Sequence, residues 1–87
     1  MKIKDGFILR EVAGSYIVVA VGKRTKEFNG VINLNESSAF LWKNLLAPIT
    51  EDELVEKLLG EYDVPVEVAK RDVSAFLGKL REAGLLE

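Results

Sequence analysis

The sequence holds few side chains that could carry out covalent chemistry. Its four serines are Ser15, Ser37, Ser38 and Ser74. A serine hydroxyl becomes a nucleophile only when a neighbouring base activates it. The sequence has no histidine for that task and no cysteine that could replace the serine. Ser37 and Ser38 are better explained as first-turn residues of a helix, so we expect that the protein is not an enzyme.

An acidic run in the middle of the chain is the one pattern that could suggest a metal site. It consists of Glu51, Asp52, Glu53 and Glu56. Carboxylates in the first turn of a helix are favoured by the helix dipole, and that turn is where the sequence places them. No histidine and no calcium-loop spacing accompanies them. We therefore expect neither a metal nor any other cofactor.

Basic residues near the C-terminus raise the possibility of nucleic-acid binding. They are Lys70, Arg71, Lys79 and Arg81. Acidic residues alternate with them along the same predicted helix, which is typical of a solvated face. The chain also has a net charge of −2, which provides little phosphate neutralisation. A DNA-binding protein stays an alternative, but we expect no nucleic-acid partner.

The first part of the chain has the pattern of a small antiparallel sheet. Strands are predicted over Phe7–Val12, over Tyr16–Val21 and from near Phe28 to Leu34. Gly14 suits a tight turn between the first two strands. The polar segment 22–30 is predicted to be a loop, with a bulge at Asn29-Gly30 before the third strand. Tyr16–Val21 is apolar on both faces, which predicts a central strand that is covered on both sides.

The rest of the chain has the pattern of three helices. The first is predicted from Glu36 to Leu46, with Asn35 as its N-cap. Its apolar face is Ser38, Leu41, Trp42, Leu45 and Leu46.

Thr50 and Glu53 form a predicted capping box at the start of the second helix. The third helix is predicted to start near Pro65 and to end before Gly84. The third helix has an inward stripe of Ala69, Val73, Phe76, Leu77 and Leu80. The order βββααα predicts an α+β fold with a winged-helix-like arrangement in a single domain, 1–87.

The third strand is the predicted element with an unprotected edge. Natural proteins usually block such an edge with proline or lysine, and neither occurs between Gly30 and Asn35. The edge could be covered by the protein's own helix, paired in a homodimer, or extended by a bound peptide strand. The oligomeric state is therefore left open between monomer and homodimer. With no signal peptide and no membrane-spanning stretch, we expect a cytoplasmic protein without a membrane partner.

The order and spacing of several motifs resemble the PqqD family, the coenzyme PQQ synthesis protein D-like proteins. The matching stretches are Leu34-Asn35-Glu36-Ser37, Ala39, Leu41-Trp42, Leu45-Leu46, Thr50, Glu53-Leu54, Leu58-Leu59, Glu61-Tyr62-Asp63-Val64, Val73, Phe76-Leu77, Leu80 and Ala83-Gly84-Leu85-Leu86. Each stretch alone is an ordinary helix cap or apolar stripe. The resemblance covers nearly the whole chain, and the ordered combination is what makes it specific.

The resemblance implies a winged-helix-like module that does not act on DNA. Members of the family serve as recognition elements for ribosomally made, post-translationally modified peptides. They bind the leader of a precursor peptide as an added strand and present it to a modifying enzyme, often a radical SAM enzyme. PQQ is only one of the products. On this sequence the implied edge is Val31, Ile32, Asn33 and Leu34, and the implied wall on the third helix is Asp72, Val73, Phe76, Lys79 and Leu80.

Overall fold

The computed structural model describes residues 1–28 and 30–87. Three strands come first, namely β1 (Phe7–Val12), β2 (Ser15–Ala20) and β3 (Val31–Leu34). A short 3-10 helix, Gly22–Lys26, lies between β2 and β3. The helices α1 (Glu36–Asn44), α2 (Glu51–Glu61) and α3 (Val66–Glu82) follow. The predicted α+β fold with the order βββααα is confirmed. None of the helices in the described ranges is long and apolar enough to cross a bilayer.

The strands form an antiparallel sheet in the order β1-β2-β3. The register pairs Val12 with Ser15, so only two residues connect β1 to β2. Ala13 and Gly14 both have positive φ angles, 52° and 80°, as a type I′ turn requires. This turn fits the twist of the two strands. β2 lies at the centre of the sheet because β3 pairs with its other side. β3 is therefore an edge strand.

The connection between β2 and β3 differs from the prediction. β3 begins at Val31 rather than near Phe28, and the predicted loop contains the 3-10 helix instead. Arg24 in that helix donates from Nε to the Asp5 carbonyl oxygen at 3.0 Å. Phe28 packs edge-on against Phe7, with ring centroids 5.6 Å apart. The predicted bulge at Asn29-Gly30 lies outside the described residues, because it depends on Asn29.

The core lies between one face of the sheet and the helices. All five stripe residues of α3 are buried, as predicted: Ala69, Val73, Phe76, Leu77 and Leu80. In and just after α1, Leu41, Trp42 and Leu45 are buried as well. The prediction for Leu46 was wrong, since its side chain is 55% exposed. The reason is that α1 already ends at Asn44, so Leu46 no longer follows the helical period.

The prediction that both faces of β2 are covered was also wrong. Val18 on the inner face is fully buried. Ile17 and Val19 on the outer face are only half-buried, and the neighbouring Val31 is 54% exposed. Shielding on that face comes from side chains of adjacent strands, such as Ile8, which is paired with Val19. Among the described elements, the helices lie on the inner face alone.

The helix ends follow the predicted capping pattern. The Asn35 side chain accepts a hydrogen bond from the Ser38 amide at 2.8 Å. Thr50 and Glu53 form both hydrogen bonds of a capping box. Gly84 has a φ of 78°, and the amide of Leu85 donates to the Leu80 carbonyl oxygen at 2.9 Å. These features fix the starts of α1 and α2 and the end of α3, and the Asn35 cap joins the end of β3 directly to α1.

The first residues are built into the fold, which the sequence patterns did not predict. The Ile3 amide donates to the Leu45 carbonyl oxygen at 2.9 Å, and the Lys4 amide donates to the Leu85 carbonyl oxygen at 2.8 Å. The Ile3 side chain is buried in the core. This segment therefore connects the end of α1 with the end of the chain.

Candidate functional site

The free edge of β3 presents backbone groups at alternate residues. In an antiparallel ladder, the N–H and C=O of one residue point to the same side, and successive residues alternate. A two-residue turn makes Val12 and Ser15 a hydrogen-bonded pair, and the bond from the Val21 amide to the Gly6 carbonyl oxygen, 2.8 Å, fits the same alternation. On β2, Tyr16 and Val18 must therefore bond to β3.

The register then identifies which residues of β3 are free. Tyr16 pairs with Leu34, and Val18 pairs with Ile32. Ile32 and Leu34 thus direct their N–H and C=O groups to β2. Val31 and Asn33 direct theirs away from the sheet. Of the four edge residues indicated by sequence, only these two present backbone hydrogen-bonding groups at the open edge.

The side chains of β3 divide in the same way. Ile32 and Leu34 point into the core and are 9% and 8% exposed. Val31 and Asn33 are exposed on the outer face. A strand added at this edge would place alternate side chains on the inner face, towards the helices. The inner face beside β3 is therefore where selectivity for side chains would arise.

A cleft of about 290 Å³ lies between the start of α1 and the middle of α3, and we call it the α1–α3 cleft. Three residues predicted from the resemblance line it on α3, namely Asp72, Phe76 and Lys79. Asn35, the residue directly after β3, lines its other side. The cleft is thus continuous with the end of the open edge.

The two remaining predicted wall residues lie elsewhere. The side chains of Val73 and Leu80 have no exposed surface. They lie on the face of α3 that packs into the core. Their role is to hold α3 against the core, and they cannot contact a peptide in the cleft. Phe76 lies at the boundary, since it is 6% exposed and also lines the cleft.

The sequence patterns missed several residues of the cleft. Ala75 lies on α3, and Ser37 and Ser38 lie in the first turn of α1. Leu41 and Leu58 form part of the lining although both are almost fully buried. Helical spacing offered a signal for Ala75, which stands one turn from Lys79. The α1 residues gave no such signal, because capping alone explained them.

The polar side of the cleft is organised by the cap of α1. The Asn35 Oδ1 atom accepts from the Ser38 amide at 2.8 Å and from the Ser37 hydroxyl at 3.1 Å. Its oxygen is thereby occupied, whereas the amide N–H groups of the same side chain can still donate. The site therefore combines an apolar floor with hydrogen-bond donors at its rim.

A second depression of about 300 Å³ continues from the cleft towards the start of α3. Asn35, Leu58 and Asp72 line both, and Tyr62 and Val64 line the extension. Burial raises the pKa of Tyr62 above its usual value, and the nearby Glu36 and Glu61 charges raise it further. The phenol therefore stays protonated well above neutral pH and can donate a hydrogen bond.

The charged groups of the site do not form a metal centre. Within residues 1–28 and 30–87, no three histidine, cysteine, aspartate or glutamate side chains lie together as a metal site. Asp72 has Arg71 beside it, with Oδ1 and Nε 3.8 Å apart. The site consists of the open edge of β3, an apolar cleft lining and exposed charged side chains that lie apart from one another.

The fold and this site define a small winged-helix-like α+β module with an open strand edge beside a cleft. The chain belongs to the family described as coenzyme PQQ synthesis protein D (PqqD), whose sequence profile matches residues 8–86. A search of curated proteins found no match.

Two solved structures share the fold. One is described as TbiB1 in complex with the TbiA(beta) leader peptide; it has a TM-score of 0.77 and 23% identity, over 100% of this chain and 95% of that chain. The other is a lasso peptide synthetase B1 complexed with the leader peptide, with a TM-score of 0.73 and 20% identity, over 97% and 93% of the two chains. At these identities the likeness concerns the fold.

Proposed function

We propose that the protein binds the leader segment of a ribosomally made precursor peptide as an added strand on β3. The observation that carries the proposal is the open edge of β3, which is followed directly by Asn35, a residue that lines the α1–α3 cleft. Membership of the PqqD family supports it, and so do the two related folds, whose structures contain leader peptides.

Backbone pairing would give the complex its register. Val31 and Asn33 offer two N–H and two C=O groups, so the peptide can form up to four hydrogen bonds with the edge. At about 0.5–1.5 kcal/mol net for each bond, these bonds together contribute roughly 2–6 kcal/mol. Ordering a flexible segment on binding costs about 2–5 kcal/mol. The two terms nearly cancel, so the edge alone gives little affinity.

Side chains entering the cleft would supply the remaining affinity. Every second residue of the added strand points to the inner face, where the small accessible parts of Phe76 and Leu41 form the apolar lining of the cleft. Burying one aliphatic or aromatic side chain stabilises the complex by about 1.5–3 kcal/mol. The exposed charges of Asp72 and Lys79 would contribute less, about 0–1 kcal/mol for each ion pair.

In this proposal the protein is a non-catalytic partner of a modifying enzyme. It holds the leader, while the enzyme acts on the core of the precursor peptide. A radical SAM enzyme is one such partner. The bound leader would extend the sheet by a strand, and the rest of the precursor would leave the edge of β3 towards the enzyme.

Titration of the isotope-labelled protein with the leader encoded beside its gene tests the proposal. We expect amide shifts on β3 and on the cleft-lining residues Asp72, Phe76 and Lys79. The edge of β1, at the opposite side of the sheet, is the internal control and should not shift. Shifts confined to β1, or no binding, would refute the proposal. Sedimentation of the free protein tests the alternative that a second copy pairs with the β3 edge, because a monomer would exclude it.

A further inference from the structure

The rim of the α1–α3 cleft carries opposite charges on one face of α3. Asp72 and Lys79 both line the cleft and both are exposed. They stand seven residues apart, which corresponds to about 10.5 Å along the helix and nearly two full turns. Phe76 lies between them and provides apolar surface. The α1–α3 cleft therefore has a negative charge at one end of its α3 side and a positive charge at the other.

Each of these charges is available to a ligand. Within the described part of the chain, no salt bridge involves the Lys79 ammonium group. Asp72 has Arg71 at 3.8 Å, but the Asp72 and Arg71 side chains are 55% and 75% exposed, so water separates them readily. Because Arg71 partly offsets the Asp72 charge, Lys79 should contribute more than Asp72 to the choice of ligand.

The spacing of these groups matches that of an extended peptide. Residues of a strand rise about 3.3 Å each, so inward-facing side chains four residues apart are about 13 Å apart. The flexible lysine side chain can cover the difference from 10.5 Å. The inward-facing residue between the two would then lie over Phe76.

We propose that Asp72 and Lys79 select peptides that carry a basic and an acidic side chain four residues apart, with an apolar side chain between them. This inference rests on the proposed function and deepens it. The acidic side chain pairs with Lys79, the basic one pairs with Asp72, and the apolar one enters the cleft. The sheet is antiparallel throughout, and antiparallel pairing is the more stable kind, so the added strand runs antiparallel to β3. In that direction a peptide with the opposite charge order meets like charges at both ends, so the charge order selects the peptide and fixes its register.

A displayed library of random peptides of about twelve residues tests this selection, because twelve extended residues match the 39 Å longest dimension of the protein. The library is sorted against the wild type and against the double variant D72K/K79D, which keeps the net charge. The matched control is K70E/E82K, which exchanges two exposed charges of α3 that do not line the cleft.

We expect the wild type to enrich one charge order and D72K/K79D to enrich the reverse order, while K70E/E82K behaves as the wild type. Synthetic peptides in the two orders should differ about three- to tenfold in Kd, and this difference should disappear near 1 M salt, where the Debye length is about 3 Å. Enrichment of the same neutral apolar peptides by all three proteins would overturn the inference and leave the proposed function intact. No enrichment by any of them would overturn both.

Discussion

The alternation of backbone groups along β3 predicts opposite effects for proline at neighbouring positions. Proline removes one backbone N–H and adds a ring in its place. At Val31 the lost N–H points to the open edge, so Val31→Pro should weaken peptide binding and leave the fold intact. At Ile32 the lost N–H bonds to β2, so Ile32→Pro should damage the sheet itself.

The size of each effect follows from burial and hydrogen bonding. Val31 is 54% exposed and starts an edge strand, a position where proline is tolerated, so the free energy of unfolding should change by less than about 1 kcal/mol. The lost hydrogen bond is worth about 0.5–1.5 kcal/mol, a factor of about 2–13 in the peptide Kd. Ile32 is 9% exposed, and losing its side chain from the core costs about 2–5 kcal/mol. The broken ladder bond adds about 1–3 kcal/mol.

Two measurements separate these outcomes. Fluorescence anisotropy with a labelled leader gives the Kd, and urea unfolding gives the stability. Val31→Ala is the matched control, because it removes the same side chain and keeps the N–H. The reasoning would be refuted if Val31→Pro unfolded the protein, or if it bound the leader as tightly as Val31→Ala does.

The remaining predictions concern helix ends and helix interiors. A Cβ at Gly60 or Gly78 would meet no atom within 4 Å beyond its chain neighbours and the backbone of its own helix, so alanine at either position should raise the free energy of unfolding by up to about 1 kcal/mol in urea titrations. Gly84 has a φ of 78°, so Gly84→Ala should instead destabilise by about 1–2 kcal/mol, and an unchanged urea midpoint would contradict this. The Thr50 amide and hydroxyl hydrogen bonds hold the pKa of Glu53 below its usual value. The stability from this capping box should therefore be present above the ordinary glutamate pKa and disappear as the pH falls through the lowered one. A Glu53→Gln variant should lose that part of the acid dependence, which chemical-shift titration of Glu53 and thermal unfolding at several pH values would show.

Local signals in the sequence predicted most of the fold. Asn35, Thr50 and Gly84 carry their capping chemistry in their own side chain or backbone freedom, so the starts of α1 and α2 and the end of α3 could be located from the sequence. The stripe of α3 likewise follows from helical spacing alone. The bounds of β1 matched for the same reason, because a tight turn follows it directly.

The errors arose where a helix ends early or where distant parts of the chain decide the outcome. Leu46 continued an apolar stripe in the sequence, but α1 ends before it. Phe28 looked like the start of β3, yet it packs on Phe7 beside a 3-10 helix. The role of Ile3 in connecting α1 to the C-terminal segment had no periodic signal at all.

The candidate site was predictable only in outline. The resemblance indicated β3 and α3, and the structure brings Asp72, Phe76 and Lys79 together around one cleft. The resemblance could not separate Val73 and Leu80, which are core residues, from the residues that line the cleft, because one apolar stripe of α3 faces both the core and the cleft. It also could not assign the free backbone groups to Val31 and Asn33, since that depends on the register of the sheet.

Hydrogen exchange at β3 tests the central claim most directly. In the free protein, the amides of Val31 and Asn33 should exchange quickly, and those of Ile32 and Leu34 should be protected by their bonds to β2. Addition of the leader should protect Val31 and Asn33 and leave the other two nearly unchanged. Tight leader binding with no added protection at Val31 and Asn33 would contradict strand addition at this edge.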